Sequence, residues 1–187
     1  MDKFYYFGYG SNMLTTRLRA RCQSAVAISV AEAPGFSVAF CKQSGDGSGK
    51  ASLVKAPHEA DRALGVVFEI DGNERWALDR AEGRDYQRND DFSVRLIGDK
   101  RKIRTTAYLA LEVEAGLKPY CWYLALVIAG AREHGLEQNY IDRLSGTAFD
   151  VDGITDRHTR TEAIAALTGA GYTDYTVLLS TPLPTCT

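Results

Sequence analysis

Apolar and polar positions along this chain fall into short β-type runs, and longer stretches of helical period come mostly towards the end. Phe4, Tyr5, Tyr6 and Phe7 open it as an aromatic run of high β-propensity. Ser11-Asn12 then precede Leu14-Thr15-Thr16-Arg17-Leu18, which reads as the start of a helix. Ala25–Val30 and Phe36–Cys41 are short β-rich segments divided by the turn signal Pro34-Gly35. Lys42 to Lys50 is rich in Gln, Ser, Gly and Asp and is expected to be a solvated hairpin connection with a mobile tip. Ala51–Lys55 follows as a strand, His58 to Arg62 as a polar connection, and Ala63–Ile70 as a buried strand ended by Asp71-Gly72.

Asn73 is placed to cap a helix from Glu74 to Glu82, with Gly83 where helices commonly stop. Leu78 and Ala81, three apart, are expected on its inward face. Phe92–Ile97 and Ile103–Leu111 flank an Asp99-Lys100 turn and read as a hairpin. Pro119 starts a helix from Tyr120 to about His134, with one apolar face of period 3.6. Glu137 to Leu144 and Thr161–Leu167 are further helices, and Tyr175–Leu179 is expected as a terminal strand. This order predicts an α+β fold with a mixed or antiparallel curved sheet or small β-barrel, flanked by a few helices.

At 187 residues the chain suits one domain with a real core. Residues 1–150 form that domain in this reading, and 151–187 a C-terminal extension packed on it, as a lid, a dimer element or an ornament. Hydrophobic content of 45% and charged content of 25% are ordinary, and a formal net charge of -2 points to neither nucleic acid nor anionic membrane. No apolar run approaches the roughly 18–20 residues of a membrane span, and Met1-Asp2-Lys3 leads straight into a strand. Cys22, Cys41, Cys121 and Cys186 are scattered, which predicts free thiols in a reducing cytoplasm.

The candidate chemistry begins at Gly8-Tyr9-Gly10-Ser11-Asn12-Met13. A glycine turn between a strand and a helix start aims unpaired N–H groups at one point, suiting an anion or a carbonyl oxygen; a plain capped βα turn is the simpler alternative. No Lys follows Gly10, so this is no P-loop, and Ser11-Asn12-Met13 is no nucleophile elbow. Ser11 has no evident His base and reads as a backbone donor and cap. Glu82, at a helix C-terminus with Asp79 in the same turn, should have a raised pKa, useful to a general base. His58, His134 and His158 stand alone, so no metal site is expected. Arg17, Arg19 and Arg21 read as a solvated face, although one could attract a substrate carboxylate.

Phe7-Gly8-Tyr9-Gly10-Ser11-Asn12-Met13 resembles the Tyr-Gly-Ser-Asn signature of the γ-glutamylcyclotransferase-like family, which includes the AIG2-like proteins. Leu78-Asp79-Arg80-Ala81-Glu82-Gly83, after the Gly65–Ile70 strand, is similar to that family's Leu-Asp-x-x-Glu-Gly segment. Tyr86-x-Arg88, Ala107-Tyr108-Leu109, and Pro119-x-x-x-Tyr123 followed by Gly130-Ala131 and Tyr140 continue the resemblance over roughly residues 4–146. It departs at Tyr120, where a Ser is common, and Tyr123 is preferred over Tyr120 for the pocket.

The resemblance implies cyclisation of a γ-glutamyl compound to 5-oxoproline with release of an amine or amino acid, without a cofactor. It implies Glu82 as the acid/base. Tyr9, Gly10, Ser11, Asn12 and Met13 with Tyr86, Tyr108 and Tyr123 become the substrate-binding set. The implied partner is a small γ-glutamyl substrate, and a homodimer is left open. The alternatives are a relative that differs only in its leaving group, a non-catalytic metabolite-binding member of the fold, and a serine hydrolase using Ser11.

Overall fold

The computed structural model describes residues 2–58 and 61–180. Glu59 and Ala60 of the polar connection, the end of the C-terminal extension and Cys186 lie outside the described residues. Among the described residues, seven strands run β1 (Lys3–Gly8), β2 (Val26–Pro34), β3 (Phe36–Gln43), β4 (Gly49–Lys55), β5 (Arg62–Asp71), β6 (Tyr86–Leu96) and β7 (Lys102–Ala110). Five of them close a barrel in the order β1-β5-β2-β6-β7, and β3 and β4 form a separate antiparallel hairpin. The barrel is mixed because its closing pair is parallel, with Tyr6 opposite Thr106; the other pairs are antiparallel.

The helices are α1 (Thr15–Arg19), α2 (Arg75–Glu82), α3 (Cys121–Glu133), α4 (Gln138–Ser145) and α5 (His158–Gly169). Helix α3 departs from the expected single apolar face: every residue from Cys121 to Ala131 is buried. A helix apolar all round belongs inside the molecule. The core that it shares with the barrel also takes in Ala163 and Leu167 of α5, while Thr16 Oγ1 on α1 donates to the Ala166 carbonyl at 2.8 Å.

Other expectations are corrected. Tyr175–Leu178 is a 3-10 turn rather than a strand, because the Asp174 carboxylate accepts from Thr176 N at 2.9 Å and winds the chain locally. Asp71, not Asn73, supplies the side-chain cap ahead of α2. Ala81 is exposed, and the residue sharing the inward face with Leu78 is Glu82, one turn on.

The connection from Ser44 to Ser48 is knitted, not loose. Asp46 Oδ1 accepts from Ser48 N, Asp46 Oδ2 pairs with Lys50 at 2.8 Å, and Gly49 N donates to the Lys118 carbonyl. The Lys50 ammonium sits over the rings of Trp122 and Tyr123, at 4.7 and 4.6 Å from their centroids.

Candidate active site

Strand β1 delivers Tyr6 and Tyr9 to one end of the barrel, and the chain then turns sharply. A 3-10 turn, Ser11–Met13, precedes α1, and Met13 N donates to the Gly10 carbonyl at 3.0 Å. Neither Ser11 nor Asn12 caps a helix through its side chain. Glu133 of α3 takes that role, accepting from Thr15 N at 2.8 Å, and the His134 ring bonds the Met13 carbonyl at 3.0 Å. The turn lies flat on α3 because residue 130 is glycine. A Cβ there would come within 2.6 Å of the Met13 carbonyl carbon and 2.5 Å of Leu14 N.

Across from the turn, α2 ends at Glu82, and Gly83 accepts the left-handed φ of 81° that breaks the helix. The chain between them makes a narrow cleft of about 30 Å³ lined by Tyr6, Tyr9, Gly10, Ser11, Asn12, Ala51, Glu82, Tyr86, Tyr108 and Tyr123. Glu82 Oε1 accepts from Asn12 Nδ2 at 2.7 Å and from the Tyr6 hydroxyl at 3.3 Å. The same Asn12 amide donates to the Tyr6 hydroxyl at 3.1 Å. Glu82 Oε2 makes no hydrogen bond among the described residues, and nor do the N–H groups of Ser11 and Asn12.

Burial raises the pKa of Glu82 above the ordinary carboxylate range, against the opposing charges of Arg21 and Arg17 and the hydrogen bonds from Tyr6 and Asn12. The direction is the expected one, but the cause is desolvation rather than the helix terminus. Asp79 is engaged elsewhere: it accepts from the Tyr108 hydroxyl at 2.6 Å and pairs with Arg88 at 2.7 Å.

Of the sequence-derived set, Tyr9, Gly10, Ser11, Asn12, Tyr86, Tyr108 and Tyr123 come together with Glu82. Met13 does not. Its side chain is fully buried in the core and its N–H is spent within the 3-10 turn. Tyr120 turns away, its hydroxyl donating to the Asp46 carbonyl at 3.0 Å. The tyrosine hydroxyls are largely committed to the protein. Tyr9 donates to the Tyr108 carbonyl, Tyr86 to the Ala51 carbonyl at 2.8 Å, and Tyr108 to Asp79. Tyr123 accepts from Ala51 N at 3.1 Å, with the Ser11 hydroxyl also beside it.

Four contributors escaped the sequence reading. Tyr6 was signalled by strand alternation, being buried where Tyr5 is 42% exposed. Ala51 carries no side-chain signal, because it acts through its main chain. Arg17 and Arg21 face the turn instead of solvent: Arg17 Nε donates to Ser11 Oγ at 3.2 Å, and Arg21 Nη1 to Asn12 Oδ1 at 2.8 Å. Burial and the like charge of Arg21 pull Arg17 down to about 10.

The chain is 30% identical over 149 residues to the γ-glutamylcyclotransferase of Bos taurus, an alignment covering 77% of this chain and 78% of that protein. It belongs to the γ-glutamylcyclotransferase family. The Homo sapiens γ-glutamylcyclotransferase matches at the same identity, with 76% of this chain and 78% of that protein covered. The AIG2-like family profile matches residues 62–144, which run from β5 through α4 and include Glu82. A solved γ-glutamyl cyclotransferase structure superposes with a TM-score of 0.77 at 26% identity, covering 88% of this chain and 99% of that one. Family membership and fold thus agree.

Proposed function

We propose that this protein is a γ-glutamyl cyclotransferase that converts a γ-glutamyl compound to 5-oxoproline and releases the free amine or amino acid. The observation that carries the reading is Glu82: a part-buried carboxylate whose pKa desolvation raises, one oxygen held by Asn12 and Tyr6, the other unspent. A binding module needs no such group, and keeping a carboxylate there works against stability.

The chemistry is intramolecular. The substrate's α-ammonium gives a proton to Glu82, and the freed amine attacks its own γ-carbonyl carbon. The five-membered ring closes through a tetrahedral oxyanion. The bond to the leaving nitrogen then breaks as Glu82 returns the proton to it, and the ring nitrogen's second proton passes to the released amine, which departs as an ammonium. Ring formation supplies much of the proximity advantage, so no enzyme nucleophile or cofactor enters. The unspent Ser11 and Asn12 N–H groups are suited to hold substrate oxygens. The rings of Tyr9, Tyr86, Tyr108 and Tyr123 wall the cleft.

A serine hydrolase is disfavoured by the partner of Ser11. A guanidinium only donates, so Arg17 offers Ser11 Oγ no base. The same reading sets the protein in a reducing cytoplasm, which the free, buried Cys22, Cys41 and Cys121 support. No helix among the described residues is long and apolar enough to cross a membrane. The test is 5-oxoproline release from a panel of γ-glutamyl dipeptides and γ-glutamyl amines. Release from at least one, abolished in Glu82→Gln, is the expected result. No release from any would overturn the assignment.

A further inference from the structure

Arg17 on α1 and Arg21 in the turn just past its end each grip one residue of the Ser11–Met13 turn. The amide of Asn12 is thereby pinned at both ends. Its oxygen accepts from Arg21 at 2.8 Å, and its nitrogen donates to Glu82 Oε1 at 2.7 Å and to the Tyr6 hydroxyl at 3.1 Å. A primary amide fits the same space either way round, but reversed it would set oxygen against carboxylate. Arg21 has donors only and enforces the productive sense.

We propose that Arg21 is a positioning residue for the reaction: acting through Asn12, it holds Glu82 with Oε1 engaged and Oε2 left for the substrate's proton. The proposal rests on the cyclotransferase reading above. The positive charge of Arg21 also opposes the effect of burial on Glu82. Other groups around that carboxylate cannot substitute for it. Tyr6, Tyr9, Tyr86, Tyr108 and Tyr123 are pushed upward by burial and stay neutral at working pH, as does Cys22. Asp79, on the same helix as Glu82, is paired with Arg88. Arg17 adds a second opposing charge, but its guanidinium is engaged by Ser11 and makes no hydrogen bond to Asn12 among the described residues.

The experiment compares wild type, Arg21→Met and Arg21→Lys as full chains, by two readouts. The first follows the side-chain carboxyl carbon of Glu82 by NMR as pH is varied without substrate, assigned by its absence in Glu82→Gln. Arg21→Met should move the midpoint up by about one unit, and Arg21→Lys should hold it near wild type. The second is the pH dependence of 5-oxoproline formation. Arg21→Met should shift the acidic limb upward and lower kcat about 10- to 100-fold, with KM changed far less. Arg21→Lys should restore the limb and only part of kcat, because it keeps the charge but not the reach to Asn12. An unmoved midpoint in Arg21→Met, or a change confined to KM, overturns the proposal. If wild type forms no 5-oxoproline from any γ-glutamyl substrate, the functional reading fails instead, while the carboxyl titration still decides what Arg21 does to Glu82.

Discussion

Asn12 Nδ2 meets Glu82 Oε1 at 2.7 Å, joining two residues seventy positions apart in the chain. The contact exists because β1 ends in the Ser11–Met13 turn at the same end of the barrel where α2 stops. It leaves one carboxylate oxygen tied to the protein and one unspent, an arrangement that suits proton transfer better than ion pairing. Glu82→Gln keeps the size and the acceptor toward Asn12 but removes the base. Turnover should fall roughly 10²- to 10⁴-fold, the usual worth of general acid–base catalysis. Substrate affinity should survive, since the lost interaction belongs to the transition state. Single-turnover 5-oxoproline formation, set beside equilibrium binding, checks both, and equal rates in the two proteins would remove Glu82 from the mechanism.

Gly130 tests whether α3 holds the turn in place. An added Cβ would run into the main chain of Met13 and Leu14, at 2.6 and 2.5 Å, and backbone cannot swing aside as a side chain can. Gly130→Ala should cost about 1–3 kcal/mol, the range for overpacking. Activity should fall as well, because the displaced segment carries Ser11 and Asn12. Denaturant melts of the variant beside its kcat/KM measure the two effects. Full stability with full activity would mean the turn can shift freely.

Gly10 stands closer to the chemistry. Its φ of −114° is open to any residue, so the requirement for glycine is one of space. A Cβ would sit 3.1 Å from the Ala51 methyl and 3.5 Å from the Tyr123 hydroxyl. Gly10→Ala should therefore narrow the cleft and raise KM more than it lowers stability. Steady-state kinetics and a thermal melt separate the outcomes, and an unchanged KM would place the substrate away from this wall.

Ser11→Ala addresses the nucleophile question. Turnover should persist within about tenfold if Ser11 contributes its main-chain N–H, since one side-chain hydrogen bond is worth about 1 kcal/mol. Stability should drop by about 1–3 kcal/mol, because the buried Arg17 loses its acceptor. Complete loss of turnover, with a covalent adduct on Ser11 in the wild type, would favour a serine hydrolase.

The fold and most of the cleft were legible because they rest on local signals. High β-propensity marked the β1 aromatics, Asp71-Gly72 and Gly83 bracketed α2, and the glycines around Tyr9 marked the turn. What was not legible depended on long-range partners. Arg17 and Arg21 look like a solvated face until Ser11 and Asn12 are folded against them. Ala51 enters through its N–H and carbonyl, which every residue possesses. Lys42 to Lys50 has a loop's composition, yet the Asp46–Lys50 pair and the rings beneath Lys50 order it. Met13 failed as a ligand-holding residue because a 3-10 turn spends its N–H on Gly10.

The thiols give a prediction independent of substrate. Burial, with the nearby Glu74 carboxylate second, pushes Cys22 up to about 11, and burial raises Cys41 as well. Both are buried thiols rather than reactive thiolates at neutral pH. Alkylation of native protein near pH 7.5 should leave both unmodified by peptide mapping, and unfolding in denaturant should expose them. Rapid labelling of Cys22 in the folded state would contradict the packing around α1.

Glu82 also sets a pH dependence of stability, and its sign is determined by the direction of the shift. Its folded-state pKa is raised, so between the ordinary carboxylate value and that raised value the folded protein binds more protons than the unfolded chain. Stability from this group is complete below the unfolded pKa and is lost as pH rises through the folded one. Above that raised value the ionised carboxylate is therefore a net cost, of the kind the proposed catalytic base would carry. Glu82→Gln removes the cost while preserving the acceptor for Asn12, so the variant should melt at or above the wild-type temperature at pH 7. Lowering the pH through the raised pKa should close the gap, because the wild-type side chain then becomes neutral too. Calorimetric melts of both proteins from pH 4 to pH 8 test this directly. A gap that stays constant across that range, or a variant less stable at pH 7 than at pH 4 relative to wild type, would mean that Glu82 is not held against its ionised form.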